Sequence, residues 1–309
     1  MINRRQLFKT AGAASLAALL QGIAFGKSPE KEHSNFRFCL NTSTIKGQKP
    51  GLLKSIEIAT RAGYDGIELW VSDVKDYLKE GHSVAELNKF IRDDGITVED
   101  GIGFATWLVD DEAKRKAGFA QMKEEMELLA QLGCKRIAAP PSGVKDGLPL
   151  DLIKAGERFK QLIDLGRQTG VMPQLEFWGA SGTLFQLGQA MMIAANANDP
   201  DVHILADVYH LFRGNSGFEG LKMLRGHVLE IFHMNDFVAS IPREKQNDKD
   251  RVYPGDGAAP MIQILTDLKN MGGTKVLSLE LFNEEYWKED TLKVAITGLT
   301  KMKNLVSQI

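Results

Sequence analysis

The chain of 309 residues is 43% hydrophobic, 25% charged and 8% aromatic, with a formal charge of -2, which excludes a disordered, collagenous or disulfide-stapled chain and leaves length for one large core. The 38 Lys and Arg against 40 Asp and Glu give no overall positive field to hold a polyanion, so no nucleic-acid partner is expected. Cys39 and Cys134 stand far apart in no metal-type spacing and read as small buried hydrophobes.

The chain starts with an address. Asn3-Arg4-Arg5-Gln6-Leu7-Phe8-Lys9 precedes an Ala- and Leu-rich apolar stretch, Ala11 to Phe25, then Gly26 and the polar Lys27-Ser28-Pro29-Glu30. Charged, apolar and small in that order is an export signal, and the stretch is too short for the roughly 18–20 residues of a spanning helix. The paired arginines resemble a twin-arginine signal. Residues 1–26 are therefore expected to be an export signal and 27–309 the folded domain of a periplasmic protein. No cysteine follows the apolar core, so no lipid or other stable membrane anchor is expected.

From Phe36 onward, short apolar or β-branched runs alternate with longer helical patterns. The runs begin at Phe36, Gly66, Val98, Arg136, Pro173, Val202, Val228 and Lys275. Between them, Pro50 to Ala62, Val84 to Asp93, Glu112 to Leu132 and Pro149 to Thr169 carry apolar residues at helical spacing, and Gly63, Gly95, Gly133 and Gly170 stand where helices stop. Leu292 to Val306 reads as a closing helix. Eight such units over roughly 250 residues predict an α/β fold, a (β/α)8 TIM barrel in one domain. A doubly wound sheet would want a Gly-rich turn after its first strand, and Asn41-Thr42-Ser43-Thr44 is not one.

In such a barrel chemistry sits at the C-terminal ends of the strands. Glu176 closes the fifth run, Asp207 the sixth with His210 behind it, His233 the seventh and Glu280 the eighth. Singly, Glu176 or Glu280 reads equally well as a loop acid or the ion-pair partner of a barrel arginine. Four such residue types ending four successive strands read otherwise, because a carboxylate closing an apolar run costs several kcal/mol unless paired, protonated or bound to a cation. Three carboxylates and an imidazole suit one divalent metal, Mn, Co, Mg or Zn. His203 and His227 read as structural or surface histidines.

Leu175-Glu176-Phe177, Asp207-x-x-His210, His233-x-x-Asp236 and Glu280-x-Phe282, in that order and spacing, resemble the xylose isomerase-like barrels, the sugar phosphate isomerase/epimerase superfamily that includes ketose 3-epimerases and endonuclease IV. The likeness extends from about Phe36 to Ile309. It implies that Glu176, Asp207, His233 and Glu280 are metal ligands, that Glu176 and Glu280 double as the catalytic acid/base pair, and that His210 binds a substrate oxygen. Arg251 is a candidate for a substrate hydroxyl or phosphate, and equally for a structural arginine. The implied reaction is isomerisation or epimerisation of a carbohydrate by proton abstraction next to a carbonyl, through an enediolate whose charge the metal offsets. The same proton removal ends in elimination in lyases of 3-keto-glycosides, so a metal-dependent lyase or hydrolase is an alternative, and a non-catalytic sugar-binding barrel another. Gly182 stands where the ketose 3-epimerase branch carries a further glutamate, which argues against a free ketose.

Trp70, Phe104, Trp107, Trp178 and Phe282 fall near strand ends, where flat apolar surfaces suit a sugar ring. Trp107 and Trp178 are the expected walls, while Phe104 and Phe282 read equally as caps on the core. Asn41, Glu68 and Gln174 are candidates either for substrate hydroxyls or for supporting the ligands. The polar segment 237–253 reads as a lid or as a subunit contact in a homo-oligomer.

Overall fold

The computed structural model describes residues 35–145, 147 and 149–309, and the segment 1–26 assigned to export lies outside them. Eight parallel strands close into a barrel in chain order: β1 (Phe36–Asn41), β2 (Gly66–Trp70), β3 (Thr97–Ile102), β4 (Arg136–Ala139), β5 (Met172–Glu176), β6 (Ile204–Asp207), β7 (Ile231–Met234) and β8 (Lys275–Leu279). β6 and β7 begin later than the apolar runs suggest, because Val202 and Val228 pack against the core without entering those strands.

The helices are α1 (Leu52–Ala62), α2 (Val71–Lys79), α3 (Val84–Asp94), α4 (Glu112–Gln131), α5 (Leu152–Thr169), α6 (Leu187–Ala197), α7 (Val208–Arg213), α8 (Met261–Met271) and α9 (Thr291–Val306). Their ends follow local chemistry. Ser83 and Glu86 form a reciprocal capping box at the start of α3, and α1 and α5 stop on Gly63 and Gly170 at φ 89° and 79°, a conformation that favours glycine.

Alternation along the strands divides the apolar side chains into two cores. Leu40, Ile67, Leu69 and Leu277 join the layer between sheet and helices, whereas Cys39, Ile102, Ala138, Leu205, Ile231 and Val276 pack inside the barrel. Both cysteines are free and buried. Burial pushes both thiols up, so neither is a ready nucleophile.

The register of β3 shifts against β2, with Val98 opposite Ile67 and Asp100 opposite Glu68, leaving Glu99 as the extra residue of a bulge. Glu99 meets Arg37 at 2.7 Å and Arg136 at 3.4 Å. Arg136 in turn donates to Glu230 at 2.6 Å, which closes an ion-pair network at the N-terminal end of the barrel. The period of two brings Asn41, Glu68, Glu176, Asp207 and His233 inward at the opposite end, with Glu280 one residue beyond β8.

Candidate active site

Asp207, His233 and Glu280 each offer one ligand atom within 4.8 Å of the others, and all three residues are buried. Asp207 ends β6 and is also the N-cap of α7, its Oδ1 accepting the backbone N–H of His210 at 2.9 Å. That bond explains the spacing Asp-x-x-His: the cap receives the amide three residues on, and the same turn sets His210 beside the cavity. The other oxygen, Oδ2, accepts from Asn235 Nδ2 at 2.9 Å and from Arg251 Nη1 at 3.0 Å.

His233 is oriented from below. Its Nε2 faces Glu68 Oε1 at 3.0 Å, and the other Glu68 oxygen accepts from Asn41 Nδ2 at 2.7 Å and Ser278 Oγ at 2.6 Å. This leaves Nδ1 pointing at Glu280 Oε2, 3.2 Å away, and Asp207 Oδ2, 3.6 Å away. It has no well-formed hydrogen bond to either. A buried, unpartnered imidazole nitrogen facing two carboxylate oxygens, with its other nitrogen fixed by a carboxylate, fits a divalent cation.

The charges point the same way. Burial works against charging His233, but Glu280 and Glu68 beside it win and hold the ring well above the usual histidine range. Burial also opposes the Asp207 anion, and the Arg251 guanidinium beside it overcomes that, holding the carboxyl far below the usual range. Glu176 is the exception. Burial, with Glu280 and Asp207 nearby, pushes it up to about 8 against the opposing pull of His233. Glu176 lies outside the tight group of three but faces the same cavity.

That cavity, of about 450 Å³, opens at the C-terminal rim between Glu176, His210, Arg251 and Glu280. Its aromatic wall is continuous, with ring centroids 5.2 Å apart for Trp70 and Phe104, 6.3 Å for Trp70 and Phe282, and 6.3 Å for Phe104 and Trp178. Phe104 is 40% exposed, so it and Phe282 are walls rather than caps on the core. Trp107, expected as a wall, lies in the core. It is fully buried, donates Nε1 to the Pro140 carbonyl at 2.9 Å and packs on Phe159 of α5. The loop after β3 folds inward beyond Phe104, so closeness in sequence to a strand end did not mean closeness to the cavity.

His210 is lodged against Gly179, whose amide donates to Nδ1 at 3.2 Å. A Cβ on Gly179 would come within 2.5 Å of the His210 carbonyl oxygen, so only glycine allows this approach. Burial holds His210 below the usual range, and with Nδ1 accepting from Gly179 a neutral ring carries its hydrogen on Nε2, which lies 3.4 Å from Arg251 Nη2. Asn41 and Glu68, expected to meet substrate hydroxyls or to support the ligands, lie beneath the cavity and support His233. Arg251 is buried between the rings of Tyr209 and Phe282, with centroid distances of 4.6 and 5.1 Å.

Asn235 and Asp248 escaped the sequence reading, and Asp236 entered it as part of a motif without a role. Asn235 ties β7 to α7, accepting the Tyr209 amide at 2.9 Å while donating to Asp207. Asp248 lines the cavity and binds Arg251. Asp236 accepts the amides of Phe237, Gly255, Gly257 and Ala259 at 2.8–3.1 Å, gathering both ends of the 237–253 segment. That segment is a folded strap on α7. Phe237 stacks on Phe212, and Arg213 donates to the carbonyls of Glu244 and Gln246. The motif His233-x-x-Asp236 named the residue, and the glycines after Tyr253 were the signal for its role.

The class is that of a TIM barrel, a closed eight-stranded barrel carrying at its C-terminal rim a carboxylate–imidazole cluster that could hold a metal ion. The sequence profile described as "Xylose isomerase-like TIM barrel" matches residues 56–304, and the chain belongs to that family. Among its relatives, an inosose isomerase of Bacillus velezensis is 30% identical over 266 residues, covering 84% of this chain and 94% of that protein. The solved structure of the IOLI protein with a bound zinc atom aligns at a TM-score of 0.81 and 27% identity, over 88% of this chain and 98% of that one. A D-psicose 3-epimerase solved with D-fructose shares the fold, with a TM-score of 0.69 and 18% identity over 87% and 99% of the two chains. No described helix is long and apolar enough to cross a membrane.

Proposed function

We propose that this protein is a divalent-metal-dependent isomerase or epimerase of an unphosphorylated polyhydroxy ketone, the chemical class of an inosose. The observation that carries it is the pairing of a buried Asp207–His233–Glu280 centre with Glu176, a second carboxyl raised to about 8, across one cavity. Asp207, His233 and Glu280 would hold the cation with Glu176 as fourth donor, and the zinc of the IOLI protein favours zinc among Mn, Co, Mg and Zn. The cation supplies Lewis-acid stabilisation of negative charge on the substrate oxygens.

This chain's residues do the rest. Glu176 on β5 and Glu280 after β8 stand three strands apart around the barrel, as two proton-transfer groups need if one takes the proton next to the carbonyl and the other returns it. In the metal-free site burial raises the affinity of Glu176 for its proton, and a bound cation would pull the other way, so these two opposing effects set its strength as a base. His210 offers Nε2–H to a substrate oxygen, and Trp178 and the other rings exclude water over the apolar face of the substrate. In the metal-free site Arg251 is engaged by three carboxylates, Asp207, Asp248 and Glu280, whose negative charge disfavours a phosphate beside it. That supports an unphosphorylated substrate.

The test is solvent-deuterium exchange followed by NMR, on inososes, free ketoses and 3-keto-glycosides, with each metal in turn. Exchange at the carbon next to the carbonyl, with an isomeric or epimeric product, is the expected result. An eliminated product would reassign the protein as a lyase, and binding without exchange as a sugar-binding barrel.

We also assign residues 1–26 to twin-arginine export into the periplasm, on the strength of Arg4-Arg5 and the apolar stretch behind them. Replacing both arginines by lysine should strand the full chain in the cytoplasm on cell fractionation. Unchanged fractionation would remove the assignment.

A further inference from the structure

The two carboxylate oxygens nearest His233 Nδ1 are the two that Arg251 binds. Its Nη1 donates to Asp207 Oδ2 at 3.0 Å and to Glu280 Oε2 at 2.7 Å, while Nδ1 lies 3.6 and 3.2 Å from the same atoms. The opposite edge of the guanidinium is held by Asp248, with Nη2 at 2.6 Å and Nε at 3.1 Å from one oxygen. Arg251 is buried whereas the Asp248 side chain is 57% exposed at the cavity mouth.

We infer that Arg251 is a built-in competitor for the metal's ligand oxygens and that Asp248 is the residue that draws it away, so that this pair sets how tightly the centre holds its cation. A guanidinium cannot lose its charge and its donors point in a fixed fork. The lone pairs it engages on Asp207 and Glu280 are therefore withheld from a cation. Asp248 offers the same fork a second anchor, at the rim and away from Nδ1. Removing Arg251 frees the oxygens and removes a repelling charge. Removing Asp248 leaves the guanidinium the two inner carboxylates as its only anionic partners, with His210 Nε2 3.4 Å from Nη2.

The inference rests on the metal reading of the site, and the experiment separates the two. Titration calorimetry with Co²⁺ on the metal-free full domain measures affinity for wild type, Arg251→Met, Asp248→Asn and the double variant, with melting curves to confirm folding. Arg251→Met should bind Co²⁺ about tenfold more tightly and Asp248→Asn several-fold more weakly, since a unit charge a few ångströms away acts directly on a cation. Competition further requires that Asp248→Asn lose its effect once Arg251 is gone, a non-additivity that a remote charge effect does not produce. Should Arg251→Met fail to fold, Arg251→Lys serves, because an ammonium cannot hold the inner carboxylates and Asp248 at once; it too should tighten binding.

Equal effects of Asp248→Asn in both backgrounds, or weaker binding on replacing Arg251, would overturn the inference and leave the metal centre standing. No Co²⁺ binding by any folded variant would sink both.

Discussion

The two ends of this barrel both bury charge, and they balance it differently. At the N-terminal end Glu99 and Glu230 meet Arg37 and Arg136, two acids against two bases in direct contact. At the C-terminal end Glu68, Glu176, Asp207 and Glu280 are set against Arg251 and His233, and one acid resolves the excess by keeping its proton. A protein that needed only stability would close both ends alike. The surplus of acid at the rim is what a cation would relieve, and the closed network at the other end shows that the fold is able to neutralise its own charges.

The widest separation between the two ends should be in chemistry. Glu176→Gln and Glu280→Gln should each slow deuterium exchange by about 10³-fold or more, as loss of an acid/base and ligand group does, while Glu99→Gln should leave the exchange rate of the folded protein within about twofold. Equal losses at both ends would mean that the rim is not special.

Stability should separate them in the opposite sense. Glu99→Gln leaves two arginines short of a partner and should cost roughly 2 kcal/mol in urea unfolding, below the usual buried-pair value because Arg37 is 40% exposed. Glu176→Gln should instead stabilise the metal-free protein at pH 8. Its folded affinity for a proton is raised to about 8 from an ordinary value of 4.5. The unfolded chain therefore gives up this proton first, and the stability contributed by the neutral carboxyl is lost as pH rises from about 4.5 to 8. Metal-free wild type should weaken over that window, and Glu176→Gln should flatten the slope.

The smallest test concerns the two tryptophans. Trp178→Ala should raise KM about tenfold with modest loss of stability, the size of one aromatic contact to a sugar ring. Trp107→Phe should lower stability by about 1–3 kcal/mol and leave KM alone. A KM change at Trp107 would contradict its place in the core.

Much of the barrel was legible because its signals are local and repeated. Apolar runs ended by a charged residue marked strand ends five to eight, and glycines marked the ends of α1, α3 and α5. α2 and α7 were hidden because each begins at the residue after a strand, with no break in the apolar pattern. The bulge at Glu99 shifts the alternation by one residue, which no period of two announces. Asp248 was invisible for a different reason. Its position depends on how the 237–253 strap folds over α7, and that path is fixed by backbone bonds to Asp236 and by Arg213, not by any periodicity. Trp107 misled for the same reason, since a loop leaving a strand carries no pattern to say which way it turns.

Asp207 divides its two oxygens between different tasks, Oδ1 to the amide of His210 and Oδ2 to the site. The backbone N–H of His210 is thus a native reporter of the centre. Its hydrogen-exchange rate and NMR shift register movement of that carboxylate, with no ligand or turnover required. The division also makes Glu a poor replacement, since one added methylene would move both oxygens and release the first turn of α7 together with the site.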